Sequence, residues 1–283
     1  MKKLLVIVCV VMMAGILASA QVPSAGHVFV VVLENHGYTS VIGNSSMPYL
    51  NSLARRYGLA TQYYANAHPS LTNYFVMTTG RTITFNDSFS SKVTADNIVR
   101  RLLISGKTWK AYAEGLPYAG YTGGDRTGYV KHHNPFAYFV DVVNSRSERL
   151  NMVPFSRFAT DRRNNALPRY SFVIPNNCHN AHDCSLGTAD AWLKKNFAPL
   201  LSTSSFQKDG LLIIVFDEAN FGDRTHGGGR VAFVAVGPKV KSNYRSSTFF
   251  QHQSLLRTTM SALGMRNFIG ASITAPSMKG FFK

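Results

Sequence analysis

The chain has 283 residues, and its 30 Lys and Arg against 14 Asp and Glu give a formal net charge of +16. A surface this basic attracts anions such as phosphate esters, nucleic acid and lipid headgroups. The basic residues are scattered, however, and no basic tract interleaved with aromatic residues marks a nucleic-acid groove, so specific nucleic-acid binding is not expected. No linker, repeat or low-complexity tract divides the sequence after residue 20, so we predict one domain over residues 21–283.

Residues 1–20 have the pattern of a cleaved signal peptide. Lys2 and Lys3 precede an apolar stretch over residues 4–17, and the small residues 18–20 (ASA) follow it. The stretch is short for a membrane span, and no later apolar run approaches the length that a transmembrane helix needs. We therefore expect an exported protein, periplasmic or secreted, without a transmembrane segment. Cleavage is expected near Ala20 and Gln21, which lowers the net charge to +14 because Lys2 and Lys3 are removed.

The mature part of the chain alternates between strand-like and helix-like segments. Hydrophobic, β-branched runs predict strands at 28–33, around 59–65, and at 170–174, 211–216 and 231–236. Apolar residues at 3–4 spacing predict helices at 47–57, about 71–79, 94–105, 188–201 and 253–263. This alternation predicts an α/β fold with a largely parallel central sheet and helices on both faces. The segment from about 107 to 168 has weak periodicity and is expected to form long loops over the active face.

Acidic residues end two of the predicted strands. Glu34 and Asn35 follow the run at 28–33, and Asp217 and Glu218 follow the run at 211–216. In an open α/β sheet, ligands bind outside the carboxyl ends of the strands, so these four side chains are expected to face one crevice. Three carboxylates and an amide are typical ligands of a divalent cation. The first hypothesis is therefore a metal-assisted enzyme.

A serine in segment 68–74 (HPSLTNY) is the candidate nucleophile. The segment joins a predicted strand to a predicted helix, which places Ser70 at a helix N-terminus, where free N–H groups favour an anion. A nucleophilic serine needs activation by a base or a metal, and His68 or the carboxylates would supply it. The alternative is an ordinary N-cap serine.

Histidines and cysteines cluster in segment 175–184 (PNNCHNAHDC). Once residues 1–20 are removed, Cys178 and Cys184 are the remaining cysteines, and in an oxidising compartment we expect them to form a disulfide. The alternative is a thiolate metal site that includes His179 and His182. A disulfide would stiffen the loop that presents His179, His182 and Asp183.

Two further segments carry histidines. Segment 217–230 joins the acidic pair to His226, and its three consecutive glycines allow either close approach to a ligand or a tight turn. Segment 131–136 (KHHNPF) contributes His132 and His133, and apart from these two histidines nothing in it points to a function.

These segments together, in this order, resemble the phosphoesterase family that contains bacterial acid phosphatases and phospholipases C. The resemblance covers nearly the whole mature chain and includes segment 254–258 (SLLRT) as the terminal helix. The family pattern usually has proline where this chain has Thr72. His36 after the Glu-Asn pair is more similar to the acid-phosphatase branch.

The resemblance implies an alkaline-phosphatase-like fold and an active site built on Ser70. It implies one divalent metal ion, Zn, Mn, Fe or Ca, with the ligands Glu34, Asn35, Ser70, Asp217 and Glu218. Ser70 would attack the phosphoryl group and form a phosphoserine intermediate, with His182 and His226 as further catalytic residues. His182 is favoured as the acid that protonates the leaving alkoxide. The expected substrate contacts are His68, Asn73, His133 and Asp183.

We therefore expect a metal-dependent phosphomonoesterase of the acid-phosphatase type. A phospholipase C or another phosphodiesterase is the alternative, for which the Tyr- and Phe-rich stretch 112–139 would line an apolar entrance. A third hypothesis is an exported protein that binds anions without turnover. The sequence does not indicate the oligomeric state.

Overall fold

A computed structural model describes residues 21–283; the predicted signal peptide lies outside this range. Its strands are β1 His27–Leu33, β2 Gly58–Ala60, β3 Tyr63–Tyr64, β4 Trp109–Ala113, β5 Met152–Pro154, β6 Tyr170–Ile174, β7 Gly210–Phe216, β8 Phe233–Val236, β9 Tyr244–Ser246 and β10 Phe250–Gln251. Its α-helices are α1 Tyr38–Val41, α2 Pro48–Arg56, α3 Ser70–Thr79, α4 Ile98–Ile104, α5 Val140–Val143, α6 Arg146–Arg149, α7 Ser156–Arg163, α8 Leu186–Leu201, α9 Ser204–Asp209 and α10 His252–Ala262. Short 3₁₀ helices cover Lys131–His133, Pro135–Ala137, Gly270–Ile273 and Lys279–Phe281. Within residues 21–283, no helix is both long and apolar enough to cross a lipid bilayer.

Eight strands form the central sheet in the order β5-β4-β6-β1-β7-β8-β2-β9. Strand β8 is antiparallel to both of its neighbours, whereas every other pairing in this sheet is parallel. The sheet is thus largely parallel, as predicted. Strands β3 and β10 pair in a separate two-stranded sheet, so the predicted strand around 59–65 is divided between two sheets.

The centre of the sheet is covered on both faces. Every side chain from Val28 to Leu33 in β1 is buried, although neighbouring side chains of a strand point to opposite faces. Helix α2 packs against α8, and α3 packs against α10. These helix pairs provide the cover that continuous hydrophobic strands require.

The prediction of long loops over 107–168 was wrong in part: between β4 and α5 only short 3₁₀ helices occur, but the rest of the segment forms regular elements. This segment contains β4, β5 and three α-helices, and β4 pairs with both β5 and β6 inside the sheet. These elements are short, and their apolar residues pack by long-range contacts such as the stacking of Trp109 on Phe136. Short elements of this kind leave little periodicity in the sequence.

Candidate active site

Parallel pairing of β1 with β7 brings the two acidic pairs together. Leu33 is in register with Phe216, and the N–H of Asp217 donates to the carbonyl of Leu33 at 2.9 Å. Glu34 and Asp217 therefore leave adjacent strands at the same level. The N–H groups of Asn35 and Glu218 donate to Oδ1 of Asp217 at 3.2 and 2.6 Å.

Ser70 is the first residue of helix α3, as predicted. Its side chain is buried, and its hydroxyl donates to Oε2 of Glu34 at 3.0 Å. The residue at the N-cap position is Pro69, so Ser70 is not the N-cap residue of the alternative hypothesis. The hydroxyl thus lies between a helix N-terminus and a carboxylate, which suits a nucleophile that attacks an anionic group.

The three carboxylates share one buried environment. Burial, followed by the nearby charge of Asp217, raises the pKa of Glu34 well above its usual value. Burial raises the pKa of Asp217 to about 6. Burial and the charge of Asp217 raise the pKa of Glu218 to about 10. Three carboxyl groups that are this close together and this deeply buried cannot all be ionised unless a cation compensates their charge.

The donor atoms have the chemistry of a cation site. Oδ2 of Asp217 is buried and has no hydrogen-bond partner in the described part of the chain, and such an atom is a natural metal ligand. Within residues 21–283, however, no group of three or more His, Cys, Asp or Glu side chains is arranged so that it could hold a metal ion by itself. A metal site here would therefore need the oxygens of Asn35 and Ser70 as well. Asn35 has a left-handed backbone (φ 57°), which Asn tolerates better than most residues.

His68 and His133 both contact the carboxylates. Nδ1 of His68 lies 3.3 Å from Oε1 of Glu218, and its Nε2 lies 2.9 Å from the carbonyl of Asp223. Nε2 of His133 lies 3.4 Å from Oε1 of Glu34, although neither ring nitrogen has a hydrogen bond within residues 21–283. Burial lowers the pKa of His133 well below its usual value, so this imidazole is neutral at neutral pH.

His182 belongs to the same neighbourhood. Its ring centroid lies 6.4 Å from that of His133, and its Nδ1 lies 2.6 Å from Oδ1 of Asp183. The side chains of His182 and Asp183 are 40% and 58% exposed. The disulfide between Cys178 and Cys184 closes this loop, so the alternative of a thiolate metal site is wrong. His179 turns instead to Glu114, whose Oε2 lies 2.8 Å from its Nδ1.

His226 has different neighbours. Its ring lies against Tyr64 and Phe249, with centroid separations of 4.5 and 4.8 Å. No contact in the described chain joins it to the carboxylates, so its catalytic role stays a prediction. The adjacent glycines make a tight turn against the backbone: a Cβ at Gly227 would lie 2.0 Å from the carbonyl oxygen of Asn66.

The side-chain amide of Asn73 is held by the protein itself, and its predicted role as a substrate contact stays a prediction. Its Oδ1 accepts from the N–H groups of Asn66 and Ala67 at 3.0 and 3.2 Å. Its Nδ2 donates to the carbonyl of Ala67 at 2.7 Å and to Oε2 of Glu218 at 3.1 Å. Protein groups thus use both donors and both lone pairs of the amide, which tie residues 66–67 and Glu218 to helix α3.

Two residues of this region were missed by the sequence analysis. The hydroxyl of Tyr74 donates to Oε1 of Glu34 at 2.5 Å. Tyr74 lies four residues after Ser70, and this spacing puts both on one face of a helix, a signal that the sequence contained. Nε2 of His252 lies 2.6 Å from the carbonyl of Asp217, and its Nδ1 lies 3.1 Å from the hydroxyl of Tyr63. No sequence signal links His252 to this site.

A groove of about 950 Å³ lies beside the disulfide loop, between α7 and α8. The pair Glu114 and His179 lines it, together with Trp192. None of the residues that the family resemblance assigns to the catalytic, substrate or metal site lines this groove, so the cluster around Ser70 is the better candidate for the chemistry.

Comparisons with known proteins agree with this architecture. The chain is 32% identical over 241 residues to a probable acid phosphatase of Kluyveromyces lactis, covering 81% of this chain and 56% of that protein. It is 32% identical over 251 residues to a phosphatidylinositol-3-phosphatase of Mycobacterium tuberculosis, covering 88% of this chain and 80% of that protein. The chain thus spans little more than half the length of the acid phosphatase.

A solved structure supports the fold. A protein of the alkaline phosphatase superfamily from Vibrio parahaemolyticus superposes with a TM-score of 0.64 at 15% identity, covering 91% of this chain and 72% of that one. The alkaline-phosphatase-like fold is thereby confirmed. The model of the phosphoesterase family matches residues 43–265. This chain is a member of the phosphoesterase family.

Proposed function

We propose that this protein is an exported, metal-dependent phosphoesterase that hydrolyses phosphate monoesters through a phosphoserine intermediate. The observation that carries the proposal is the hydrogen bond from Ser70 at the start of α3 to Glu34, beside the buried Asp217 and Glu218. The relatives named as acid phosphatase and phosphatidylinositol-3-phosphatase support a monoester substrate. Their names do not identify the alcohol that this chain would release.

One divalent cation would be held by Glu34, Asn35, Ser70, Asp217 and Glu218. Oxygen ligands of this kind are compatible with Zn, Mn, Fe or Ca. When bound, the cation would lower the pKa of the serine hydroxyl and offset charge on the phosphoryl oxygens. The support for this site is the unpartnered Oδ2 of Asp217 and the crowding of three carboxylates.

Ser70 would attack phosphorus in line, forming the Oγ–P bond while the bond to the leaving alkoxide breaks. The hydroxyl proton is already directed at Oε2 of Glu34, 3.0 Å away, which is positioned to accept it. Water would then attack the phosphoserine, release inorganic phosphate and restore the hydroxyl. His68 would position Glu218 through their 3.3 Å contact.

His182 is the preferred acid for the leaving alkoxide. Its Nδ1 contacts Asp183, which leaves Nε2 for the substrate. His133 is a poorer proton source because burial keeps its ring neutral, but a neutral ring still donates one hydrogen bond to a phosphoryl oxygen. The scheme gives His226 no proton step, since its ring packs on Tyr64 and Phe249.

Export is supported by the signal-like residues 1–20 and by the disulfide between Cys178 and Cys184. Disulfides persist in oxidising compartments and are rare in the cytosol of most organisms. The proposed location is therefore the periplasm or the extracellular space.

The test is hydrolysis of p-nitrophenyl phosphate beside p-nitrophenyl phosphorylcholine, by the wild type and by Ser70→Ala, with and without chelator. We expect release from the monoester that chelator and Ser70→Ala both abolish. Ser171→Ala is the matched control, because it removes another buried serine hydroxyl, which has no hydrogen-bond partner in the described chain. Full activity of Ser70→Ala would overturn the mechanism, and preference for the diester would favour the phospholipase C alternative. Phosphate binding without turnover would indicate the non-catalytic hypothesis.

A further inference from the structure

Phenylalanine exposure is confined to a few positions near the candidate active site. The chain has 19 phenylalanines, and within residues 21–283 only Phe85, Phe221 and Phe249 are exposed, at 66%, 65% and 41%. Single exposed apolar residues are common on protein surfaces. Phe85 and Phe221 lie on loops that contact the candidate active site, and Phe249 lies beside the neighbouring glycine turn. Exposed apolar residues grouped in this way are typical of an interaction surface.

Phe85 lies beside the start of helix α3. The hydroxyl of Thr72 donates to the carbonyl of Thr84 at 2.5 Å, and the N–H of Leu71 donates to Oδ1 of Asp87 at 2.9 Å. These bonds fix the residues on both sides of Phe85 against the first turn that begins at Ser70. The exposed ring is therefore held next to the nucleophile's helix end.

Phe221 lies beside His68. Their ring centroids are 5.3 Å apart, and His68 in turn contacts Glu218 at 3.3 Å. The guanidinium of Arg224 lies 4.8 Å from the centre of the Phe221 ring. This loop therefore presents an apolar ring and a cation together, beside the histidine that contacts Glu218.

Phe249 extends the surface along the glycine turn. Its ring stacks on Tyr64 at 5.4 Å and contacts His226 at 4.8 Å. Gly228, two residues after His226, lies so close to segment 65–67 that a Cβ there would be 2.4 Å from the carbonyl oxygen of Ala67. Phe249 thus borders the segment that Asn73 ties to Glu218.

We propose that Phe85, Phe221 and Phe249, here called the phenylalanine rim, bind an anionic lipid surface and place it at the mouth of the candidate active site. An apolar ring beside a cation, as at Phe221 and Arg224, suits the boundary between headgroups and acyl chains. The net charge of +16, or +14 without Lys2 and Lys3, draws the protein to anionic lipids in particular. This inference rests on the proposed function in one respect, because that function identifies the cluster around Ser70 as the active site.

The test is co-sedimentation of the mature protein with phosphatidylcholine vesicles, with and without phosphatidylglycerol. We expect binding to the vesicles that contain phosphatidylglycerol. The variant Phe85→Ser, Phe221→Ser and Phe249→Ser should weaken it by about tenfold or more, since each ring loses apolar contact with the lipid. The matched control replaces Ile104, Leu150 and Ile273 with serine. These residues are exposed at 71%, 51% and 59%, and none lies on a loop that contacts the site.

Because Phe249 packs on Tyr64, the double variant Phe85→Ser and Phe221→Ser is measured as well, and it too should bind more weakly. Binding by either rim variant at the level of the control would overturn the proposal. The absence of vesicle binding by the wild type would also overturn it. Displacement of the vesicles by inorganic phosphate would overturn it as well, because it would place the lipid headgroup in the catalytic site and not on the phenylalanine rim. Hydrolysis of p-nitrophenyl phosphate, a soluble ester, is measured in parallel. Hydrolysis without vesicle binding would refute lipid binding by the phenylalanine rim and leave the proposed function intact.

Discussion

Replacement of Asn73 by Ala is expected to destabilise the protein and slow the reaction. The change removes four hydrogen bonds of 2.7 to 3.2 Å that tie residues 66–67 and Glu218 to helix α3. Ala67 is buried, so its N–H and C=O lose partners that water does not readily replace, whereas Asn66 is half-buried and partly hydrated. At about 1–3 kcal/mol for each of the two buried polar groups of Ala67 left without a partner, the free energy of unfolding should fall by roughly 2–6 kcal/mol.

Urea unfolding measures this loss. The slope of the free energy of unfolding against urea concentration should stay unchanged, which would show that the folded and unfolded states are as compact as in the wild type. Asn196→Ala is the matched control. It removes an amide on α8 that makes one hydrogen bond, to the carbonyl of Trp192 at 2.9 Å, and its cost should stay below about 1 kcal/mol. We expect Asn73→Ala also to lower kcat, because Glu218 loses its amide partner. A loss of stability no larger than that of the control would refute the claim that Asn73 positions this segment.

Three further outcomes are expected. Tyr74→Phe removes the 2.5 Å hydrogen bond to Glu34 and should lower kcat about tenfold, equivalent to roughly 1.4 kcal/mol. The near-UV circular dichroism spectrum should stay unchanged, and an unaltered kcat would exclude a role for the hydroxyl. In chelator-treated protein, burial raises the pKa of Asp217 from 3.8 to about 6, so the stability due to its proton should be complete below about pH 4 and lost as the pH rises through about 6. Thermal unfolding across this pH range measures that loss, on the order of 3 kcal/mol from Asp217 alone. The raised pKa values of Glu34 and Glu218 act in the same direction, so a flat profile would contradict the prediction. Replacement of both Cys178 and Cys184 by Ala opens a loop of sequence separation 6 and should reduce the free energy of unfolding, measured in urea, by about 2 kcal/mol. Equal urea midpoints for the wild type and the variant would show that the disulfide does not stabilise the protein.

Strong local patterns made much of the fold predictable. The runs that form β1, β6 and β7 are continuous and hydrophobic because these strands are buried on both faces. The start of α3 at Ser70 could be predicted because a polar segment there gives way to helical spacing. Strand β4 was missed since its five residues carry little periodic signal, and its position is fixed by pairing with β5 and β6.

The sequence by itself determined which chemistry the site contains: two acidic strand ends, a serine at a helix N-terminus and a histidine loop closed by two cysteines. Only the tertiary structure decided which of these groups meet. The register of β1 with β7 joins Glu34 to Asp217, whereas the packing of the glycine turn on segment 65–67 leaves His226 against Tyr64 and Phe249. Strand register and loop packing depend on contacts between residues more than a hundred positions apart. Local sequence patterns report the conformation of a segment, but they do not report its distant partners.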